Sequence, residues 1–295
     1  MDKYLIINAD DCGMCHAHNA ATFDLLKKGA ITSSTIMACC PWAFEAVKFA
    51  KANPQFAIGV HLTNTSEWQT YRWPPLTKAD SLTDDEGFMF HGCNEFVEKA
   101  DVNDVRAELI AQIGRLRGMG LDPSHVDNHM GSIYGIHNGR FELLKLAIEI
   151  AAEYGLPFRF PTKFSQAQYK NGMFGIQIPM EQISPVIAQF TDYAKQLGVA
   201  MPDYLIPGDW NGPQSESFDN YREYIYELYR TFEPGVTETY IHPACESDEL
   251  KAIFERWQYR VWEYRLFSDP KTRQHIDSLG IRLINYRDLK RMRGF

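Results

Sequence analysis

This chain has no long run or stripe of lysine and arginine, and its formal net charge is −8. That balance excludes nucleic acid as the main partner, which would call for a basic face. No apolar stretch reaches the about 18 residues that a membrane span needs. No charged segment followed by an apolar one precedes the first strand, so the expectation is a cytoplasmic protein. No GxGxxG follows any apolar run, which counts against a dinucleotide-binding fold. The cysteines (Cys12, Cys15, Cys39, Cys40, Cys93 and Cys245) are too few and too irregular for a disulfide framework. Cys12-Gly13-Met14-Cys15-His16 has the formal CxxCH spacing of haem attachment, but with no export signal, free thiols are expected. Adjacent Cys39 and Cys40 are poorly spaced for structural zinc.

What is present is an alternation of strand and helix. Apolar residues make up 45% of 295 residues, enough for a sizeable core. Tyr4-Leu5-Ile6-Ile7 reads as a buried strand that ends in Asn8-Ala9-Asp10-Asp11-Cys12-Gly13. Further strands are expected near 32–38, 56–62, 124–129, 158–160, 203–206, 236–242 and 282–285, with helical patterns between most of them. Residues 1–295 are read as a single catalytic barrel domain, with a long loop at about 63–100 and an irregular insertion at about 161–202. The alternation calls for a parallel sheet. Chain length and strand count favour a closed but irregular α/β barrel.

In such a barrel the carboxyl ends of the strands share one face, where active sites sit. Those ends carry Asp10 and Asp11, then His61, then His125, Asp127 and His129, then His242. Neighbouring strand residues point to opposite faces, so Asp10 and Asp11 can share a site only if the chain turns there, as Gly13 permits. One carboxylate with two neutral imidazoles is a usual ligand set for a divalent metal with open positions. The other acids and histidines are then free for proton transfer or for orienting ligands. Either aspartate could instead cap the following helix, and a lone strand-end histidine is often only a hydrogen-bonded rim residue. His16, His18, His91 and His137 fall on helix or loop stretches and are left unassigned. Trp68, Tyr71 and Trp73 suggest a sugar-stacking lid over the site, with Trp210 and Tyr134 as further candidates. The same aromatics could be core or interface.

The set Asn8-Ala9-Asp10-Asp11-x-Gly13, Gly59-Val60-His61-Leu62-Thr63, Ser124-His125-Val126-Asp127-Asn128-His129 and Ile241-His242-Pro243 resembles the YdjC-like carbohydrate deacetylases, chito-oligosaccharide deacetylases among them. The motifs occur in the family's order and span most of the chain. The resemblance implies an irregular TIM-like (β/α) barrel related to polysaccharide deacetylases. It implies removal of acetyl groups from N-acetylated amino sugars with one divalent ion, and a homodimer; an Asp/His/His set suits zinc, and completion by water also allows magnesium. It assigns Asp11, His61 and His125 as metal ligands and Asp10 as base. Cys12 stands where the family usually has an aromatic residue, and Met130-Gly131-Ser132 stands where some members carry further histidines.

On this reading Asp10 takes a proton from an activated water, and a protonated acid, with His242 the candidate, donates to the leaving amine. Asp127 and His129 would support the ligands or touch the substrate. Two alternatives stay open: a metal-dependent sugar isomerase or phosphoesterase on a similar barrel, and a non-catalytic sugar-binding barrel.

Overall fold

The computed structural model describes residues 2–135, 139–165 and 180–295. His137 and the centre of the expected 161–202 insertion lie outside the described residues. The strands are β1 (Lys3–Cys12), β2 (Ser33–Ile36), β3 (Ala57–Leu62), β4 (Val126–Asn128), β5 (Tyr204–Leu205), β6 (Gly235–Ile241) and β7 (Ile281–Leu283). Their order is β4-β3-β2-β1-β6-β5, with β7 against β1, and every pair is parallel. The sheet curls into the irregular (β/α) barrel expected from the alternation, but it is not closed as expected: among the described residues no ladder joins β4 to β5. β1 lies at its centre. It pairs with β6 from Lys3 to Ala9, while its other edge meets β7 at Lys3–Leu5 and β2 from Asn8 onward.

The buried alternation along β1 sets the layers. Leu5, Ile7 and Ala9 face the large core shared with the surrounding helices. Ile6 points to the other side and packs with Val236, Tyr286 and Leu289. Asn8 and Asp10 continue that inner row and are buried. The barrel interior is therefore apolar at the amino ends of its strands and polar at their carboxyl ends. Strict alternation would send Asp11 outward. Instead the register with β2 slips, Ala9 opposing Ser34 but Cys12 opposing Ile36, which leaves an extra residue in β1. Asp11 sits there at φ +58°, in the left-handed region. A β-bulge at Asp11 thus aims both aspartates inward, and the chain then turns at Gly13, which sits at φ +91° as the glycine permits.

Helix ends follow familiar signals. Asp101 accepts from the backbone N–H groups of Asn103 and Asp104 to start the helix Val102–Met119, and Gly120 ends it at φ +102°. That helix carries buried Gln112 and Glu108, which hold the long 63–100 stretch. Gln112 pairs with both backbone groups of Thr63, and Glu108 accepts from the N–H groups of Leu76 and Thr77. The stretch is less loop-like than its sequence: it contains the helix Cys93–Lys99, which buries Phe96 and Val97. The expected strand at 158–160 reduces to a single bridge, Val126 with Phe158. After β6 the chain forms two helices, Asp248–Ile253 and Trp257–Ser268, with Phe254 extended between them. All six cysteines are free thiols, and Cys12 and Cys15 are buried.

The helix His16–Lys27 buries His18 completely, with neither ring nitrogen partnered. Burial pushes its pKa down from 6.5 to about 3. A depressed histidine supports the fold above its unfolded pKa and withdraws that support as pH falls below it. His18→Leu should therefore lose about 2–3 kcal/mol less stability than the parent between pH 7 and pH 4. Urea titrations at the two pH values measure this; parallel losses in both proteins would rule it out.

Candidate functional site

A cleft of about 580 Å³ opens over the carboxyl ends of the strands, with Asp10, Asp11, His61, His129, Arg159 and His242 among its walls. Each arrives by a local device. The bulge delivers Asp10 and Asp11. His61 lies near the carboxyl end of β3 in register with Asp127 of β4, and His61 Nδ1 lies 2.7 Å from Asp127 Oδ1. After β4 the chain makes a tight turn in which Met130 takes φ +55°, and His129 at its start faces the cleft. Thr35 on β2 also donates to Asp127, at 2.7 Å.

Arg159 occupies the middle. It is 2% exposed and follows the bridge at Phe158. Its two Nη atoms grip Asp10 at 2.7 and 2.6 Å, Nη2 reaches Asp127 at 2.9 Å, and Nε donates to Glu238 at 2.8 Å. Glu238 also accepts from the Tyr286 hydroxyl. Arg260, on the helix Trp257–Ser268, donates to Asp11 Oδ2 at 3.0 Å. From the same helix Glu263 accepts from the backbone N–H of His242 at 2.7 Å. The break after Ile253 lets that second helix reach across to both β1 and β6.

Carboxylates outnumber guanidiniums here: Asp10, Asp11, Asp127, Glu238 and Glu263 are buried beside Arg159 and Arg260. Burial raises Glu238 to about 7 and Glu263 to about 8, in each case against the pull of the nearby arginine. Burial also works against a carboxylate at Asp11, yet the His129 and His61 imidazoles and the Arg260 guanidinium hold it well below the usual range. Burial opposes protonation of His61, but Asp127 and Asp11 lift it to about 9. The site therefore draws positive charge, as protons on imidazole or as a cation.

Among the described residues, two buried groups have metal-like spacing: Asp11 with His61 and His129, and Asp10 with His61 and Asp127. Only the first fits an ion. In the second, both carboxylates already accept from Arg159. In the first, Asp11 Oδ1 has no hydrogen-bond partner and lies 3.4 Å from both His61 Nε2 and His129 Nδ1. An orphaned buried carboxylate oxygen facing two imidazole nitrogens is a donor set suited to a divalent metal.

His125 is not brought to this group, contrary to the expectation that it ligates. Its ring stacks on Tyr286 with centroids 3.8 Å apart, Nε2 meets Asn8 Oδ1 at 3.2 Å, and Nδ1 meets Ser124 Oγ at 2.8 Å. Burial pushes its pKa down to about 3. It shares a strand face with Asp127, but one step of two residues lies about 7 Å deeper along the barrel. Gly59 makes room for it: a Cβ there would lie 2.4 Å from the His125 carbonyl oxygen.

The aromatic lid is also corrected. Trp73 is 2% exposed and donates through Nε1 to the Thr65 carbonyl, Tyr71 donates to the Met14 carbonyl, and Trp68 packs on Phe254. These rings hold the loop from within and do not line the cleft. Trp210 is stacked between Tyr221 and Tyr259, whereas Tyr134 does line it. His242 is at the wall, edge-on to Tyr240 at 5.6 Å.

Sequence reasoning gave no part in this site to Arg159, Glu238, Arg260, Glu263 or Glu67. The first two had a signal, a charge within an apolar strand pattern. Arg260 and Glu263, three apart on a helix, look like an ordinary surface pair. Glu67 lies in a loop, where no sequence spacing links it to His129; its Oε2 is 2.9 Å from His129 Nε2.

A family model described as YdjC-like protein matches residues 4–278. The carbohydrate deacetylase of Thermoanaerobacter pseudethanolicus is 26% identical over 291 residues, covering 98% of this chain and all of that relative. The carbohydrate deacetylase of Enterococcus faecalis is 28% identical over 290 residues, covering 98% of each. A crystal structure from Enterococcus faecalis V583, described as a proposed cellobiose-phosphate cleavage protein, superposes with TM-score 0.75 at 26% identity, over 98% of this chain and 99% of that one.

Arg159→Met should cost about 3–5 kcal/mol, because it leaves three buried carboxylates without their cation. An unchanged urea midpoint at pH 7 would show that the guanidinium does not hold these strands together.

Proposed function

This chain belongs to the YdjC-like protein family, and from that membership we propose that it is a metal-dependent hydrolase removing the N-acetyl group from an N-acetylated amino sugar or short chito-oligosaccharide. The observation that carries the proposal is the unpartnered Asp11 oxygen facing His61 and His129 at the floor of the cleft. Asp11, His61 and His129 would hold the ion. Magnesium or zinc bound there would supply a Lewis acid, able to acidify a water and polarise an amide carbonyl.

The chain's own groups would do the rest. Asp10 stands beside the ligand set and takes the proton of the attacking water. Arg159 keeps that carboxylate pointed at the cleft through two parallel hydrogen bonds. Asp127 accepts from His61 Nδ1 and so leaves Nε2 free to ligate. His242 gives a proton to the leaving amine, and Glu263 anchors its backbone. The cleft draws on β1, β3, β4, β6 and a helix near the end of the chain, which supports reading the whole chain as one catalytic unit.

Both arginines of the cleft are paired to carboxylates, Arg159 to Asp10 and Arg260 to Asp11. That pairing disfavours a phosphoester substrate. Among the described residues no helix is long and apolar enough to cross a membrane.

Acetate should be released from N-acetylglucosamine or short chitin oligomers, should stop after chelation, and should return when metal is added back. No acetate from any of these sugars in the presence of excess metal would sink the proposal. His129→Ala should lose both metal and turnover, whereas His125→Gln should keep its metal; elemental analysis of the purified variants separates the two. Asp10→Asn should keep metal and lose about 100-fold or more in kcat. Full turnover in that variant would remove Asp10 as the base.

A further inference from the structure

The two histidines facing Asp11 do so through different ring atoms, His61 through Nε2 and His129 through Nδ1. For His61 the reason is Asp127, which accepts from the opposite nitrogen. Resting on the metal reading above, we infer that Glu67 plays the matching part for His129: it is the positioning residue that fixes the His129 tautomer and leaves Nδ1 as the nitrogen offered to the ion.

The geometry is direct. Glu67 Oε2 lies 2.9 Å from His129 Nε2. An ionised carboxylate only accepts, so the hydrogen of a neutral ring resides on Nε2 and the lone pair on Nδ1. Nδ1 is the atom 3.4 Å from the orphaned Asp11 oxygen. A carboxylate behind a ligating imidazole both orients the ring and raises its basicity.

The loop is built to hold Glu67 there. The residues just before it, Thr63 to Ser66, are polar yet buried. Gln112 holds both backbone groups of Thr63. The Ser66 N–H donates to the Phe90 carbonyl at 2.9 Å, and Ser66 Oγ accepts from the Trp73 N–H at 3.0 Å. The Trp73 indole closes the clamp on the Thr65 carbonyl at 2.9 Å, and its ring meets His129 edge-on at 6.1 Å. The aromatic stretch thus serves the cleft from behind, by presenting Glu67. Glu67 differs from Asp127 in being part-exposed, with 18% of its side chain accessible against none for Asp127. It can be replaced without opening a hole in the core.

The test uses the full-length protein stripped of metal and titrated with Co2+ against a chromophoric chelator. Glu67→Ala should bind about 10–100-fold more weakly than the parent, and its Co2+ visible absorption should shift as the His129 ring loses its fixed orientation. Glu67→Gln, which still offers an amide oxygen to Nε2–H, should recover much of the affinity and the parental spectrum. Matching thermal melts confirm that all three are folded. A Glu67→Ala protein with parental affinity and spectrum overturns the role of Glu67 while leaving the metal reading intact. A parent that takes up no Co2+ at all overturns the metal reading itself, and this inference with it.

Discussion

Three buried carboxylates share one guanidinium. Asp10 on β1, Asp127 on β4 and Glu238 on β6 all accept from Arg159, which is itself 2% exposed. Removing such charges from water costs several kcal/mol per ion, and only close, well-aligned pairing offsets it. The strands they sit on are not all neighbours: β4 lies at one edge of the sheet and β5, next to β6, at the other. Arg159 therefore ties together parts of the barrel wall that the backbone ladder leaves apart. It also sets the direction of Asp10, so the same bonds that hold the interior together orient the group read here as the base.

Around that centre the barrel is graded along its axis. Ile6, Val236, Tyr286 and Leu289 plug the amino end. Asn8, His125 and Glu238 come next, and Asp10, His61 and Asp127 above them. The mouth holds Asp11, His129 and His242. The gradient lets hydrogen-bonded polar groups rest on an apolar plug, while the charge that needs a counter-ion gathers where a cation can enter. The bulge at Asp11 completes the arrangement. Without its extra residue, Asp11 would point into the helix layer and the floor of the cleft would hold one aspartate instead of two.

Elements that look peripheral in the chain supply the supports. The helix Trp257–Ser268 reaches Asp11 through Arg260 and the His242 backbone through Glu263. The 63–100 stretch is pinned by Glu108 and Gln112 and carries Glu67 to His129. Each of these residues acts on a backbone or side-chain group twenty or more positions away, at a range where no sequence period operates. Their charges on a helix or in a loop read as solvated, and only packing reveals that they are buried.

The sequence by itself determined the class of fold and the neighbourhood of the chemistry. Strand and helix periods, the absence of a nucleotide-binding glycine motif, and the acids and histidines at strand ends were enough to place Asp10, Asp11, His61, Asp127, His129 and His242 at one end of a parallel barrel. Period alone could also say that His125, Asp127 and His129 share a face. It could not say how deep each lies, because depth depends on the register with β3, and His61 aligns with Asp127. Only the tertiary structure decided that His125 sits below, against Tyr286, and that His129 rises to meet Asp11. The reason is the rise of the chain: His125 and His129 are four residues apart, about 13 Å along an extended strand, too far for both to reach one ion beside Asp11.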